Sequence, residues 1–132
     1  MKRIIFLSVL SVLSFGLIAC QESLEDRCAR EAKEYTQKHC PFLVSRDIML
    51  DSMTFDKTTH TITYAYTVKG VLDDDEVLNR NSPRTLLLQE VRNSTNLKLY
   101  KEAGYNFCYV YYSAQRRGKQ VFSATFTEKD YR

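Results

Sequence analysis

The stretch HTITYAYTV, from His60 to Val68, alternates large apolar side chains with small ones and decides the fold. Ile62, Tyr64, Tyr66 and Val68 share one side of this alternation, and three threonines and an alanine share the other. Successive side chains of a β-strand point to opposite faces, so the pattern predicts a strand with one buried face. The domain is therefore expected to contain a sheet that is covered on one side.

Three further stretches have the composition of strands. They are IMLDSMTFD (Ile48 to Asp56), YNFCYVYYS (Tyr105 to Ser113) and QVFSATFT (Gln120 to Thr127). The turn sequence DKTT separates the first of them from the opening stretch, and Arg116-Arg117-Gly118 separates the last two. Together they predict two hairpins.

Two stretches have the periodicity of amphipathic helices. From Leu24 to His39, apolar residues recur every three or four positions after a capping sequence that begins at Ser23. A second helix is predicted to begin at Ser82-Pro83 and to run to Gly104. Asn93-Ser94-Thr95 interrupts it with poor helix formers, which predicts a kink or two shorter helices.

The predicted order of elements is α-β-β-α-β-β. The fold class that follows is α+β, a two-layer sandwich in which a four-stranded antiparallel sheet carries both helices on one face. Residues 20–132 are long enough for one such domain.

The N-terminal segment has the organisation of an export signal. Lys2 and Arg3 precede the apolar run Ile4 to Ile18, which is shorter than the roughly 20 residues that a membrane-spanning helix needs. The run ends in Leu17-Ile18-Ala19-Cys20, which resembles the lipobox of bacterial lipoproteins. The resemblance implies that residues 1–19 are a cleaved signal peptide, that Cys20 receives a diacylglyceryl group, and that its new N-terminus receives a further acyl chain such as palmitate.

The same resemblance implies a location. Gln21 follows the cysteine, whereas an aspartate there is common in lipoproteins of the inner membrane, so the outer membrane is expected, on its periplasmic face or at the cell surface. The domain itself resembles small uncharacterised envelope lipoproteins in its helix ending in Cys-Pro, in LDSMTFD…TITYAYTV and in LKLYKEAGYNFCYVYYS. This second resemblance implies no activity.

The charge of the processed chain is close to neutral. Removing Lys2 and Arg3 from the 19 basic residues leaves 17 against 16 acidic ones, a net charge of +1. A near-neutral domain without a basic stripe is not expected to bind nucleic acid. The expected partners are the membrane, through the lipid, and an envelope protein or glycan; no cofactor is predicted.

Three cysteines follow Cys20. Cys28 and Cys40 lie about 18 Å apart along the first predicted helix, too far for a disulfide. Any disulfide is therefore expected to join Cys108 to either Cys28 or Cys40, and three separate buried thiols are equally consistent with the sequence. Cys40 or Cys108 could also serve as the nucleophile of a thiol-dependent enzyme, with His39 beside Cys40.

The acidic run Asp73-Asp74-Asp75-Glu76 is the one candidate for a metal site. It lacks the alternating ligands and the glycine of a calcium-binding loop, so a solvated loop is predicted and no metal site is expected. No residue is predicted to be catalytic.

The strongest binding candidate is an aromatic row. Tyr105, Phe107, Tyr109 and Tyr111 alternate along one strand, and two helices can cover only one face of the sheet. The row would then be an exposed binding face, although simple packing within the sheet also explains it. The functional prediction is a lipid-anchored, non-catalytic binding or adaptor module, with an inhibitor or immunity-type protein and the thiol-dependent enzyme as alternatives.

Overall fold

The computed structural model describes residues 21–132, so the predicted signal peptide and the lipidation site Cys20 lie outside the described residues. The elements in chain order are α1 (Leu24–His39), β1 (Phe42–Ser45), β2 (Ile48–Asp56), β3 (Thr61–Val68), a 3-10 turn (Gly70–Leu72), α2 (Asp75–Arg80), α3 (Pro83–Asn93), α4 (Lys98–Glu102), β4 (Asn106–Ser113), β5 (Gln120–Phe126) and α5 (Glu128–Tyr131). The mixed α and β class agrees with the prediction.

The sheet has five strands in the order β1-β2-β3-β4-β5. All neighbours are antiparallel except β3 and β4, which are parallel and place Tyr64 beside Tyr109 and Tyr66 beside Tyr111. The predicted four-stranded antiparallel sheet is therefore wrong in strand number and in one pairing. The four residues of β1 are too few to show an alternation, and the helical crossover through α2, α3 and α4 returns the chain to the end of the sheet where β3 began.

The predicted helices are confirmed where their signals are local. Helix α1 has the predicted bounds, and the Ser23 hydroxyl accepts a hydrogen bond from the Asp26 N–H at 3.1 Å. The second predicted helix is divided into α3 and α4 at Asn93-Ser94-Thr95. The segment between Gly70 and Asn81, predicted as a loop, contains the short helix α2.

The core lies on one face of the sheet, between the strands and the helices α1, α3 and α5. Its fully buried side chains include Ile62 and Val68 from β3, Phe107 from β4, Phe126 from β5 and Val91 from α3. Each such side chain contributes on the order of 1.5–3 kcal/mol when it is removed from water. The opposite face carries mostly small and polar side chains, among them Thr63, Thr67, Cys108, Ser123 and Thr125.

No helix within residues 21–132 combines the length and the apolar character needed to cross a bilayer.

Candidate functional site

The predicted aromatic row lies on the covered face of the sheet. Tyr105, Phe107, Tyr109 and Tyr111 are between 0% and 7% exposed, so the prediction of an open aromatic face is wrong. The two-residue period shows that these side chains share a face, but it does not show which face the helices cover. The helices pack on the aromatic side because it is the more apolar of the two.

Four tyrosines on this covered face form a stacked set, here called the tyrosine ladder: Tyr64, Tyr66, Tyr109 and Tyr111. The parallel register of β3 and β4 brings them together. The rings of Tyr64 and Tyr109 are 5.0 Å apart between centroids, and those of Tyr66 and Tyr111 are 4.6 Å apart, with planes inclined by 16° and 9°. Because neighbouring rings stack, they cover one another's faces.

The hydroxyl groups of the ladder have no hydrogen-bond partner within residues 21–132, although the rings are largely buried. These oxygens are also not enclosed, since Asp73 Oδ1 is the one buried side-chain polar atom without a partner in that part of the chain. Other buried tyrosines do find partners: the hydroxyl of Tyr100 donates to Glu31 at 2.6 Å, and that of Tyr131 donates to the Tyr105 carbonyl at 2.8 Å. The ladder therefore presents its hydroxyl edge to solvent.

The opening above the ladder is a groove between the helices. Its first part is a cavity of about 390 Å³ between α1 and the segment that joins α3 to α4, with Tyr35, Asn96 and Leu97 in its walls. Its second part is a cavity of about 350 Å³ between β1 and α3. Tyr66 and Glu90 line both parts, so the two cavities adjoin. We call this combined space the tyrosine groove.

The charges that line the tyrosine groove are all negative. Glu31 and Glu90 contribute carboxylates, and no lysine, arginine or histidine lines either cavity. Glu31 is already paired, because Arg27 Nε lies 2.8 Å from it and Tyr100 donates to it. Glu90 is exposed and forms no ion pair within residues 21–132.

The ladder hydroxyls are neutral at physiological pH. Burial, with the negative charge of Glu90 as the second cause, raises the pKa of Tyr111 to about 12. Burial likewise raises the pKa values of Tyr64, Tyr66 and Tyr109 well above the ordinary value of 10.0. Each neutral hydroxyl can both donate and accept a hydrogen bond.

Glu90 is a groove residue that the sequence patterns did not predict. It lies one helical turn after Leu86, and both side chains line the cavity beside β1. This spacing is the signal that could have placed Glu90 on the groove side of α3, but nothing local connects α3 with the ladder strands.

The three cysteines of the described chain are free, so of the two alternatives the structure has three separate thiols and no disulfide of Cys108 with Cys28 or Cys40. Cys28 and Cys40 pack on the helix-covered side, whereas Cys108 lies on the opposite face of the sheet. Burial raises the pKa of Cys28 to about 12 and also raises the pKa of Cys40, with Asp51 adding to the second shift. The His39 ring packs on Tyr35, at 5.0 Å between centroids. A raised pKa lowers the thiolate fraction, which weakens the thiol-enzyme hypothesis at Cys40.

The acidic run has structural partners. Asp73 has a fully buried side chain and accepts a hydrogen bond from the Gln115 N–H, so the prediction of a solvated loop is wrong at this position. Asp74 caps α2 by accepting from two backbone N–H groups, and Asp75 lies 3.3 Å from an Arg116 nitrogen. Within residues 21–132 no group of three or more side chains has the arrangement of a metal site.

A family model supplies the classification of this domain. The model described as a domain of unknown function, DUF8479, matches residues 23–122. The chain belongs to the DUF8479 family. The matched range holds the whole tyrosine ladder together with Glu31 and Glu90, so the groove lies within the DUF8479 domain.

One solved structure is similar in fold to this chain. It is the crystal structure of a candidate secreted protein from Pseudomonas aeruginosa, with a TM-score of 0.67 and 19% sequence identity. The likeness covers 85% of this chain and 100% of that one. At this identity it supports the mixed α and β fold alone. No curated protein matches the chain.

Proposed function

We propose that this DUF8479 protein is a non-catalytic binding module that holds a partner from the cell envelope in the tyrosine groove. The observation that carries the proposal is the row of four ladder hydroxyls, which have no hydrogen-bond partner within residues 21–132 and open into a cavity. A ligand group that replaces water at such hydroxyls regains their hydrogen bonds, and it also buries the apolar walls.

The proposal includes a lipid anchor at Cys20. Its support is the order of a short basic segment, an apolar run and the sequence Leu17-Ile18-Ala19-Cys20. Two or more acyl chains hold a protein on a membrane far more stably than one does. The intact mass of the protein from its native membrane should equal residues 20–132 plus a diacylglyceryl group and an acyl chain. An unlipidated mass would remove this part of the proposal.

Site-specific photo-cross-linking in native cells tests the groove. A cross-linking residue at Asn96 lies at the groove wall, and one at Ser123 is exposed on the opposite face of the sheet as its matched control. We expect one defined partner from position 96 and not from position 123. The double variant Tyr66→Phe, Tyr109→Phe should lose this cross-link, because it removes two of the hydroxyls that are proposed to bind the partner and leaves the rings in place.

Tyr112→Phe is the control for the double variant. Tyr112 is 37% exposed and lies on the face opposite the ladder, so this change should leave the cross-link intact. Thermal unfolding of all variants should be nearly unchanged, because the removed hydroxyls have no protein partner in the described part of the chain. Equal cross-linking from both positions, or a cross-link that survives the double variant, contradicts the proposal.

A further inference from the structure

The exposed edge of the tyrosine ladder restricts the chemistry of its ligand. Tyr66 and Tyr111 stack at 4.6 Å and Tyr64 and Tyr109 at 5.0 Å, so the facing ring surfaces within each pair are covered. A sugar ring that packs on an aromatic side chain needs a free ring face, whereas the ladder turns its hydroxyl edge to the groove, beside the carboxylates of Glu31 and Glu90. The Glu90 carboxylate only accepts hydrogen bonds and the hydroxyls can accept them as well, so a ligand that supplies donors matches both.

The negative charge of the tyrosine groove restricts the chemistry of the ligand further. Glu90 lies where the two cavities adjoin, and no basic side chain lines either of them. The negative charge of Glu90 acts on three of the four ladder tyrosines, since it contributes to the raised pKa values of Tyr66, Tyr109 and Tyr111. A ligand ammonium or guanidinium group would give Glu90 the ion pair that it lacks within residues 21–132, in a charge-assisted hydrogen bond.

The cavity beside β1 requires that the ligand also carry an apolar group. Val44 and Leu86 line it and are 52% and 55% exposed, and Leu72 and Leu78 lie deeper in the same cavity. A small polyamine would leave these side chains in water. A peptide that continues past Glu90 can bury them, because an extended chain carries side chains about every 3.3 Å.

We propose that the tyrosine groove binds an extended segment of a partner protein, in which one lysine or arginine side chain pairs with Glu90 and a neighbouring apolar side chain packs between Val44 and Leu86. The backbone and the basic group supply the donors that meet the ladder hydroxyls. This inference rests on the proposed function, whose site it shares.

Selection from a displayed peptide library tests the inference. The probe is a library of peptides of about eight residues with random flanks and a central Arg, Lys, Gln or Glu. The full-length domain should enrich sequences with a central basic residue followed or preceded by apolar ones. The enriched peptides should bind Glu90→Gln at least about tenfold more weakly, since a charge-assisted hydrogen bond becomes a neutral one.

Glu102→Gln is the matched control, because this exposed carboxylate lies outside the groove and should leave the affinity unchanged. Glu90→Gln should keep the thermal midpoint of the wild type, since Glu90 is exposed and has no ion-pair partner in the described chain. Enrichment of peptides without a basic residue, equal binding to Glu90→Gln, or no enrichment at all overturns the inference. Displacement of an enriched peptide by a neutral glycan fragment at equal concentration also overturns it.

The two proposals can fail separately. A neutral ligand that binds Glu90→Gln normally but is lost in the Tyr66→Phe, Tyr109→Phe variant keeps the groove as a binding site and removes the basic segment. A partner that cross-links equally from Asn96 and Ser123 removes the groove function itself.

Discussion

Asp73 joins the crossover between β3 and β4 to the turn that follows β4. Its side chain is fully buried, its Oδ2 accepts a hydrogen bond from the Gln115 N–H at 3.0 Å, and Arg116 lies 4.0 Å from Oδ1. Hydrogen bonding to Ser113 is the largest cause that lowers the pKa of Asp73 below its ordinary value of 3.8. The folded chain therefore favours the ionised carboxylate at this position.

Asp73→Asn is expected to lower the free energy of unfolding by about 1–3 kcal/mol at neutral pH, because a buried acceptor is replaced by a group that also donates. Denaturant unfolding measures this. Asp75→Asn, at an exposed carboxylate that pairs with the same Arg116, should cost less than about 1 kcal/mol.

The difference in the free energy of unfolding between the wild type and Asp73→Asn should depend on pH with a defined sign. A folded-state pKa below the unfolded value gives stability that is present above 3.8 and is lost as the pH falls through the folded-state pKa. The difference between wild type and Asp73→Asn should therefore shrink in acid. A difference that is constant from neutral pH into strong acid would contradict the role of the charge.

At the scale of the elements, α1 completes an edge of the sheet that β1 leaves open. β1 pairs only with the first three residues of β2, and the register shifts between Leu50 and Ser52. Beyond this shift the hydroxyl of Thr36 donates to the Met53 carbonyl at 2.8 Å and accepts from the Met53 N–H at 2.9 Å. One side chain of the helix thus satisfies two backbone groups of the strand.

Thr36→Val is expected to destabilise the fold by about 1–3 kcal/mol, because the Met53 N–H and carbonyl would lose their partner while the shape of the side chain is kept. Thr36→Ser retains the hydroxyl and should cost less than about 1 kcal/mol, the value of one lost methyl group. Urea unfolding compares the two. Equal losses would show that the hydroxyl contributes nothing.

The whole molecule keeps its cysteines apart because its helices cover one face of the sheet only. Cys28 is a residue of α1 whose side chain is buried in the core, and Cys108 lies on the opposite face of the sheet. The sheet itself separates the two thiols, so no disulfide can join them without unfolding the domain.

Alkylation followed by mass measurement should find all of Cys28, Cys40 and Cys108 as free thiols in unreduced protein that is first unfolded. In the folded protein Cys28 should react far more slowly, because it is 0% exposed and burial raises its pKa to about 12. A sample reduced before unfolding is the control. A shortfall of two labels in the unreduced sample would reveal a disulfide and contradict the arrangement.

Part of the candidate site could be predicted from the sequence. The alternation of β4 placed Tyr109 and Tyr111 on one face of their strand, and the alternation of β3 did the same for Tyr64 and Tyr66, because strand alternation is a local property. Glu90 belongs to the site only because α3 packs over the same strands. No local pattern carries that information.

By itself the sequence determined the local elements of this protein: the bounds of α1, the alternation of β3, and the break between α3 and α4. Each depends on spacings of a few residues, and those spacings are present in the chain whatever surrounds it. The tertiary structure alone decided the strand β1, the parallel pairing of β3 with β4, and the face that the helices cover. These depend on contacts between distant segments, and the same contacts place a stacked row of tyrosine hydroxyls at the floor of a groove rather than on an open sheet.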